Sequence, residues 1–190
     1  MKLSTWNRDQ VRVVATTSGS PSLQFDATSS HVSLEQVRNG YNNDRNDIGD
    51  ATYDVTVPVS ARASLSAVSG DITASGVHGR VEVSNVSGTV NVRDVGSALS
   101  VEGVSGGITI ANVGGDAHVE NVSGRISLAG VGGSANIETV SGGITVNGVR
   151  GGDIHATTVS GDIDFAGSLN APARYAFETH SGRTNLRLAS

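Results

Sequence analysis

Residues 99–116 read LSVEGVSGGITIANVGGD and residues 117–134 read AHVENVSGRISLAGVGGS, and laid one above the other they are the same sentence written twice. The phrase inside them is shorter still. Valine recurs every nine residues at Val68, Val77, Val86, Val95, Val104, Val113, Val122, Val131, Val140 and Val149, and Val159 follows after one inserted residue. Glycine stands two places after nearly all of them, with Ser97 the interruption. Val-Ser-Gly at 68–70, 86–88, 104–106, 122–124, 140–142 and 159–161 alternates with Val-His-Gly, Val-Gly-Ser, Val-Gly-Gly and Val-Arg-Gly, so the unit is eighteen residues in two unlike halves. A unit this small cannot bury an apolar face alone and becomes stable when neighbours stack on it.

After each glycine two apolar residues stand two apart: Val90 and Val92, Leu99 and Val101, Ile108 and Ile110, Ala117 and Val119, Ile126 and Leu128. Period two with Thr, Asn, Ser, Glu and Arg between describes a strand with one face buried and one wet. The next position holds Gly76, Asn85, Asp94, Gly103, Asn112, Asn121, Gly130, Thr139 or Gly148, mostly types that tolerate a left-handed backbone, and a turn is expected at each. An apolar residue at every corner suits stacked parallel coils about 4.8 Å apart better than an antiparallel meander, whose hairpin turns are polar. A subperiod of nine rather than six argues against a hexapeptide left-handed helix.

The fold expected is therefore all-β: a single parallel β-helix, or β-solenoid, right-handed, with eighteen-residue coils made of two nine-residue halves and capped at both ends. Residues 1–67 form N-terminal strands and a cap continuous with the solenoid, 68–166 the regular repeat, and 167–190 a C-terminal coil and cap. Val68, Val86, Val104, Val122 and Val140 are expected to point inward and stack, with Gly70, Gly88, Gly106, Gly124 and Gly142 completing the corners. Within 1–67, Val11-Arg12-Val13, Leu23-Gln24-Phe25 and Val32-Ser33-Leu34 alternate as strands, and the polar run from Gln36 to Asp50 reads as a long surface loop. Past Gly161, Asp162-Ile163-Asp164-Phe165, Tyr175-Ala176-Phe177 and Leu186-Arg187-Leu188 close the array with larger side chains.

Composition narrows the function. The 190 residues carry a formal net charge of −5 and no cysteine, which argues against a nucleic-acid partner and excludes disulfides and thiolate metal sites. No apolar run reaches the roughly 18 residues of a membrane span, and the start has no hydrophobic signal region. Trp6-Asn7-Arg8-Asp9-Gln10-Val11-Arg12-Val13, then Val55-Thr56-Val57-Pro58 before Leu65-Ser66-Ala67-Val68-Ser69-Gly70-Asp71-Ile72, then iterated Val-Ser-Gly and Val-Gly-Gly, resembles a bacterial adhesin-like family of repeat β-helix proteins, similar to auto-transporter adhesins. The resemblance covers nearly the whole chain and carries no catalytic motif. It implies an extracytoplasmic, envelope-associated β-helix; the missing signal or anchor is the departure from that pattern, and a cytoplasmic location is the alternative.

Residues eighteen apart should form columns on the faces. Thr73, Asn91, Thr109, Ser127 and Thr145 make a polar ladder, a solvated face or a ligand platform. Glu102, Glu120 and Glu138 make a column of like charges, well solvated or sharing a hard cation such as Ca²⁺. Asp116-Ala117-His118 and Asp153-Ile154-His155 share a Gly-Gly-Asp-x-His pattern two coils apart, too far for both histidines to hold one metal ion, and each is expected to be a surface pair. Asp162 and Asp164 are the nearest candidate acid pair for a polysaccharide lyase or hydrolase, but the regular repeat has no long loop to wall a cleft. The expectation is a non-catalytic cell-envelope interaction module with no cofactor. Its partner would be an envelope polysaccharide or protein, and the chain itself a monomer or weak homodimer; a carbohydrate-active enzyme and a self-assembling scaffold are the alternatives.

Overall fold

The computed structural model describes residues 1–17, 22–28, 31–37, 51–169 and 172–189. All regular structure among them is β. The N-terminal strands are β1 (Lys2–Trp6), β2 (Arg12–Thr17), β3 (Ser22–Ala27), β4 (His31–Val37), β5 (Ala51–Pro58) and β6 (Arg62–Ala67). The chain then alternates between two sheets. The first sheet receives β7 (Ile72–Ser75), β9 (Val90–Val95), β11 (Ile108–Val113), β13 (Ile126–Val131), β15 (Ile144–Asn147), β17 (Ile163–Gly167) and β19 (Thr184–Leu188). The second receives β8 (Val81–Ser87), β10 (Leu99–Ser105), β12 (Ala117–Ser123), β14 (Ala135–Ser141), β16 (Ile154–Ser160) and β18 (Tyr175–Ser181), beside β6. Each pairs in parallel with the equivalent strand of the next coil, eighteen residues on, as in Leu99↔Ala117 and Ile108↔Ile126. The offset grows to nineteen at Ala135↔Ile154 and twenty-one at Ile154↔Tyr175. The chain is a parallel β-solenoid of about seven coils.

The paired apolar residues face inward as their period requires: Leu99, Val101, Ile108, Ile110, Ile126 and Leu128 are all 2% exposed or less. Burying each contributes roughly 1.5–3 kcal/mol, and the strands from β6 to β17 bury further apolar pairs in the same way. At the last full coil the filling grows larger, with Phe165 meeting Tyr175 edge-on at 6.0 Å and Phe177 at 5.3 Å between ring centres.

The two halves turn their corners differently, and this corrects the expectation that all corner valines stack inside. Near the end of β9, β11 and β13, and just past β7 and β15, stands a residue with positive φ: Gly76 (77°), Asp94 (57°), Asn112 (58°), Gly130 (68°) and Gly148 (65°). That residue interrupts the alternation, so two successive side chains point outward and the valine after them returns inside. Val77, Val95, Val113, Val131 and Val149 are 0–5% exposed. Through the second-sheet strands the alternation runs on unbroken. Asn85, Asn121, Thr139 and Thr158 therefore point inward and are buried, and the next valine must point out. Val68, Val86, Val104, Val122, Val140 and Val159 are 39–51% exposed. Asn85, Gly103, Asn121 and Thr139 thus lie within strands rather than at turns.

The turn falls instead on Gly70, Gly88, Gly106, Gly124, Gly142 and Gly161, with φ from 108° to 152°. At Gly124 the requirement is doubled: φ is 126°, and a Cβ would run into the carbonyl oxygen of Gly106 in the coil before. Three members of the buried polar column close these same corners. Asn121 Nδ2 donates to Gly106 O (3.1 Å) and Ser123 O (3.0 Å), Asn85 Nδ2 to Gly70 O (3.3 Å), and Thr158 Oγ1 to Gly142 O (3.3 Å).

The N-terminal end departs from simple winding. β1 is inserted between β5 and β7, parallel to both, with Leu3 opposite Val55 on one side and Ala74 on the other. Leu3 is fully buried in the interior column. Beyond it, β2 lies antiparallel on β5 and β3 antiparallel on β4, and these two strands terminate the parallel stack at this end. The surface loop expected over Gln36–Asp50 lies outside the described residues except for Gln36 and Val37, which finish β4. At the other end the expected cap is only the last coil itself. Among the described residues β18 and β19 are sheet edges, and Leu186 and Leu188, in register with Phe165 and Gly167, remain 51% and 53% exposed.

Candidate interaction face

The outer face of the second sheet carries three columns, because three outward positions of every strand stand above their counterparts. The first runs Glu82, Ser100, His118, Asn136, His155, and the second Ser84, Glu102, Glu120, Glu138, Thr157. The third is the valine row displaced outward by the unbroken alternation: Val86, Val104, Val122, Val140, Val159. Glutamate and valine are two residues apart on one strand face, so their columns run side by side about 6.7 Å apart. Between and over them lies an open groove of about 440 Å³.

The acidic column is partly tied down by the column beside it. His118 Nε2 meets Glu120 Oε1 at 2.9 Å, and Asn136 Nδ2 meets Glu138 Oε1 at 3.1 Å and His118 Nδ1 at 3.2 Å. The His118 imidazole thus links Asn136 to Glu120, and Asn136 Nδ2 bridges His118 and Glu138. Among the described residues no group of three or more histidine, aspartate and glutamate side chains is placed to hold a metal ion. Glu102, Glu120 and Glu138 stack as register neighbours and form a charged column.

The aspartates that looked like chemistry serve the corners. Asp116 Oδ1 accepts from Ser134 N and Asp153 Oδ1 from Arg174 N, each at 2.8 Å, so neither pairs with the histidine two residues on as expected. His118 turns to Glu120, and His155 Nε2 lies 3.2 Å from Thr157 Oγ1. Asn136 separates the two histidines in register. Asp71 accepts from both Thr89 N (2.8 Å) and Thr89 Oγ1 (2.7 Å), and these bonds hold its carboxyl below the ordinary value. Asp162 accepts from Arg183 N at 2.8 Å, while Asp164 on the first-sheet face accepts from Asn185 Nδ2 at 3.0 Å. Each member of the suggested acid pair is engaged by the following coil. The shared role is a carboxylate at a strand entrance that takes the amide of the coil above.

On the first-sheet face, Thr73, Asn91, Thr109, Ser127 and Thr145 are register neighbours as their spacing required, half-buried or exposed, and the row continues to Asp164. The valine row was the feature that sequence reasoning placed on the wrong side. Its signal is faint but present: in Val-Ser-Gly halves the residue before valine includes Thr139 and Thr158, β-branched types that disfavour a left-handed backbone.

No helix long and apolar enough to cross a membrane occurs among the described residues. The chain matches none of the curated proteins compared with it and none of the solved structures. Residues 14–190, everything from the second β-strand onward, match the family Toastrack DUF4097, a repeat β-solenoid, and the chain belongs to that family.

Proposed function

We propose that this chain is a non-catalytic, adhesin-like interaction module of the cell envelope, held outside the cytoplasm and presenting rigid β-solenoid faces to an envelope polymer or protein. The observation that carries the reading is the regularity of the outer faces from β7 to β17. Corners of a few residues join every strand to the next, so each coil adds one further row to a continuous surface and no inserted loop walls a cleft. Asp162 and Asp164, the candidate acid pair, are engaged by Arg183 N and Asn185 Nδ2 of the following coil. A lattice of rows suits repeated weak contacts along an extended partner better than chemistry at one bond.

The test is co-sedimentation of the purified chain with peptidoglycan, surface polysaccharide and membrane vesicles carrying envelope proteins, with released sugar assayed in the supernatant. Saturable binding without release supports the module. Sugar release abolished by Asp162→Asn would overturn it in favour of a carbohydrate-active enzyme. One observation favours a second reading, self-assembly: the open edges of β18 and β19 with Leu186 and Leu188 exposed offer an end to which another solenoid could add. Concentration-dependent dimers dispersed by Leu186→Ser and Leu188→Ser would favour it.

A further inference from the structure

We propose that the groove on the outer face of the second sheet takes a cationic amphipathic helix of a partner protein, laid along the solenoid axis. The valine row docks its apolar stripe, and Glu102, Glu120 and Glu138 receive its basic flank. This rests on the interaction-module reading and names the partner of that surface. Single exposed valines are ordinary, but a contiguous row is not: Val86, Val104, Val122, Val140 and Val159 are each 44–51% exposed, while their counterparts at the other corners are buried. A solvated corner is equally well built from threonine, so the row is an apolar surface kept at every coil.

Spacing selects the shape of the occupant. The valines recur about every 4.8 Å. An extended segment running along the row presents side chains to one face about every 6.7 Å and loses register by the third valine. A helix rising about 1.5 Å per residue places positions i, i+3, i+7 and i+10 at about 0, 4.5, 10.5 and 15 Å, against 0, 4.8, 9.6 and 14.4 Å for successive valines. The strands beneath are hydrogen-bonded on both sides in their ladders, so the face offers no edge for strand addition.

Charge selects the chemistry. Basic residues at i+4, i+8 and i+11 of such a helix fall on one flank of the apolar stripe, on the side of the glutamate column about 6.7 Å from the valines. The same column, in a chain of net charge −5, opposes an anionic lipid surface. A second copy is disfavoured too. A row about 19 Å long and one side chain wide falls well short of the roughly 800 Å² per partner that a stable interface buries.

The experiment uses the whole chain and a fluorescent synthetic helical peptide with leucines at i, i+3, i+7 and i+10 and lysines at i+4, i+8 and i+11, read by anisotropy. A second peptide has glutamates in place of the lysines. The lysine peptide is expected to bind at least about tenfold tighter, with the difference shrinking at high salt. Glu102→Gln, Glu120→Gln and Glu138→Gln together should remove that preference while leaving the melting curve cooperative. Val104→Ser, Val122→Ser and Val140→Ser together should abolish binding. Equal binding of the two peptides, or binding indifferent to the valine substitutions, would overturn the proposal. So would preferential binding to anionic vesicles, or a dimer dispersed by the valine substitutions. If envelope co-sedimentation persists in the valine variant while the wild-type chain ignores the lysine peptide, the groove proposal fails and the interaction-module reading stands.

Discussion

Asn121 donates from Nδ2 to the carbonyl oxygen of Gly106, one coil earlier, at 3.1 Å, from a position that is 5% exposed. An amide buried in an apolar column is costly unless it bonds, and here it satisfies the carbonyl of a corner that turns away from the strand ladder. Asn121→Ala should lower unfolding stability by about 1–2 kcal/mol, because it leaves that buried carbonyl without its donor. Asn121→Thr should cost less, since Thr158 makes the same bond to Gly142 two coils on. Urea denaturation with an unchanged slope is the measurement, and an Ala variant as stable as the native chain would contradict the role.

Gly124→Ala should cost about 3 kcal/mol or more, through a strained φ of 126° and a collision with the carbonyl of Gly106. Gly107→Ala should change stability by less than about 0.5 kcal/mol, because the nearest atom to its new methyl group is Arg125 O at 3.8 Å and its φ is not positive. Thermal melts of the two variants side by side separate the corner requirement from a general dislike of alanine.

Much of this was legible in the sequence, and what was not has a physical reason. The eighteen-residue period fixes which residues stack, so the columns Glu102–Glu120–Glu138 and Thr109–Ser127–Thr145 follow from counting alone. Inward or outward is a matter of parity, which one left-handed residue reverses. Asn112 takes φ of 58° and sends Val113 inside, whereas Asn121 continues the strand and sends Val122 out. The residue types are identical, and the choice is made by what packs around each asparagine. The insertion of β1 was hidden for another reason: five residues with one buried leucine hold no record of the two strands between which they lie.

Asp71 gives the acid response a sign. Its carboxylate accepts two hydrogen bonds from Thr89 and its folded-state pKa is lowered by them. A depressed folded pKa means that the group stabilises the fold above its unfolded value, about pH 4, and loses that contribution as pH falls through the folded value. Asp71→Asn should therefore flatten the decline in stability below about pH 4 while leaving the slope near neutrality unchanged. Melting temperatures of both chains across acid pH are the check, and parallel declines would contradict it.

The central claim is that the two halves of each coil turn unlike corners, placing one valine inside and the other on the surface. Val113 is 2% exposed and Val104 is 46% exposed, although both stand in the same nine-residue phrase. The most direct measurement is equilibrium unfolding of Val113→Asp and Val104→Asp under identical conditions, followed by circular dichroism. The account predicts that Val113→Asp abolishes cooperative unfolding, because it buries a charge without a partner in the stack, and that Val104→Asp keeps a sharp transition. Equal damage from both substitutions, or damage from Val104→Asp alone, would contradict it.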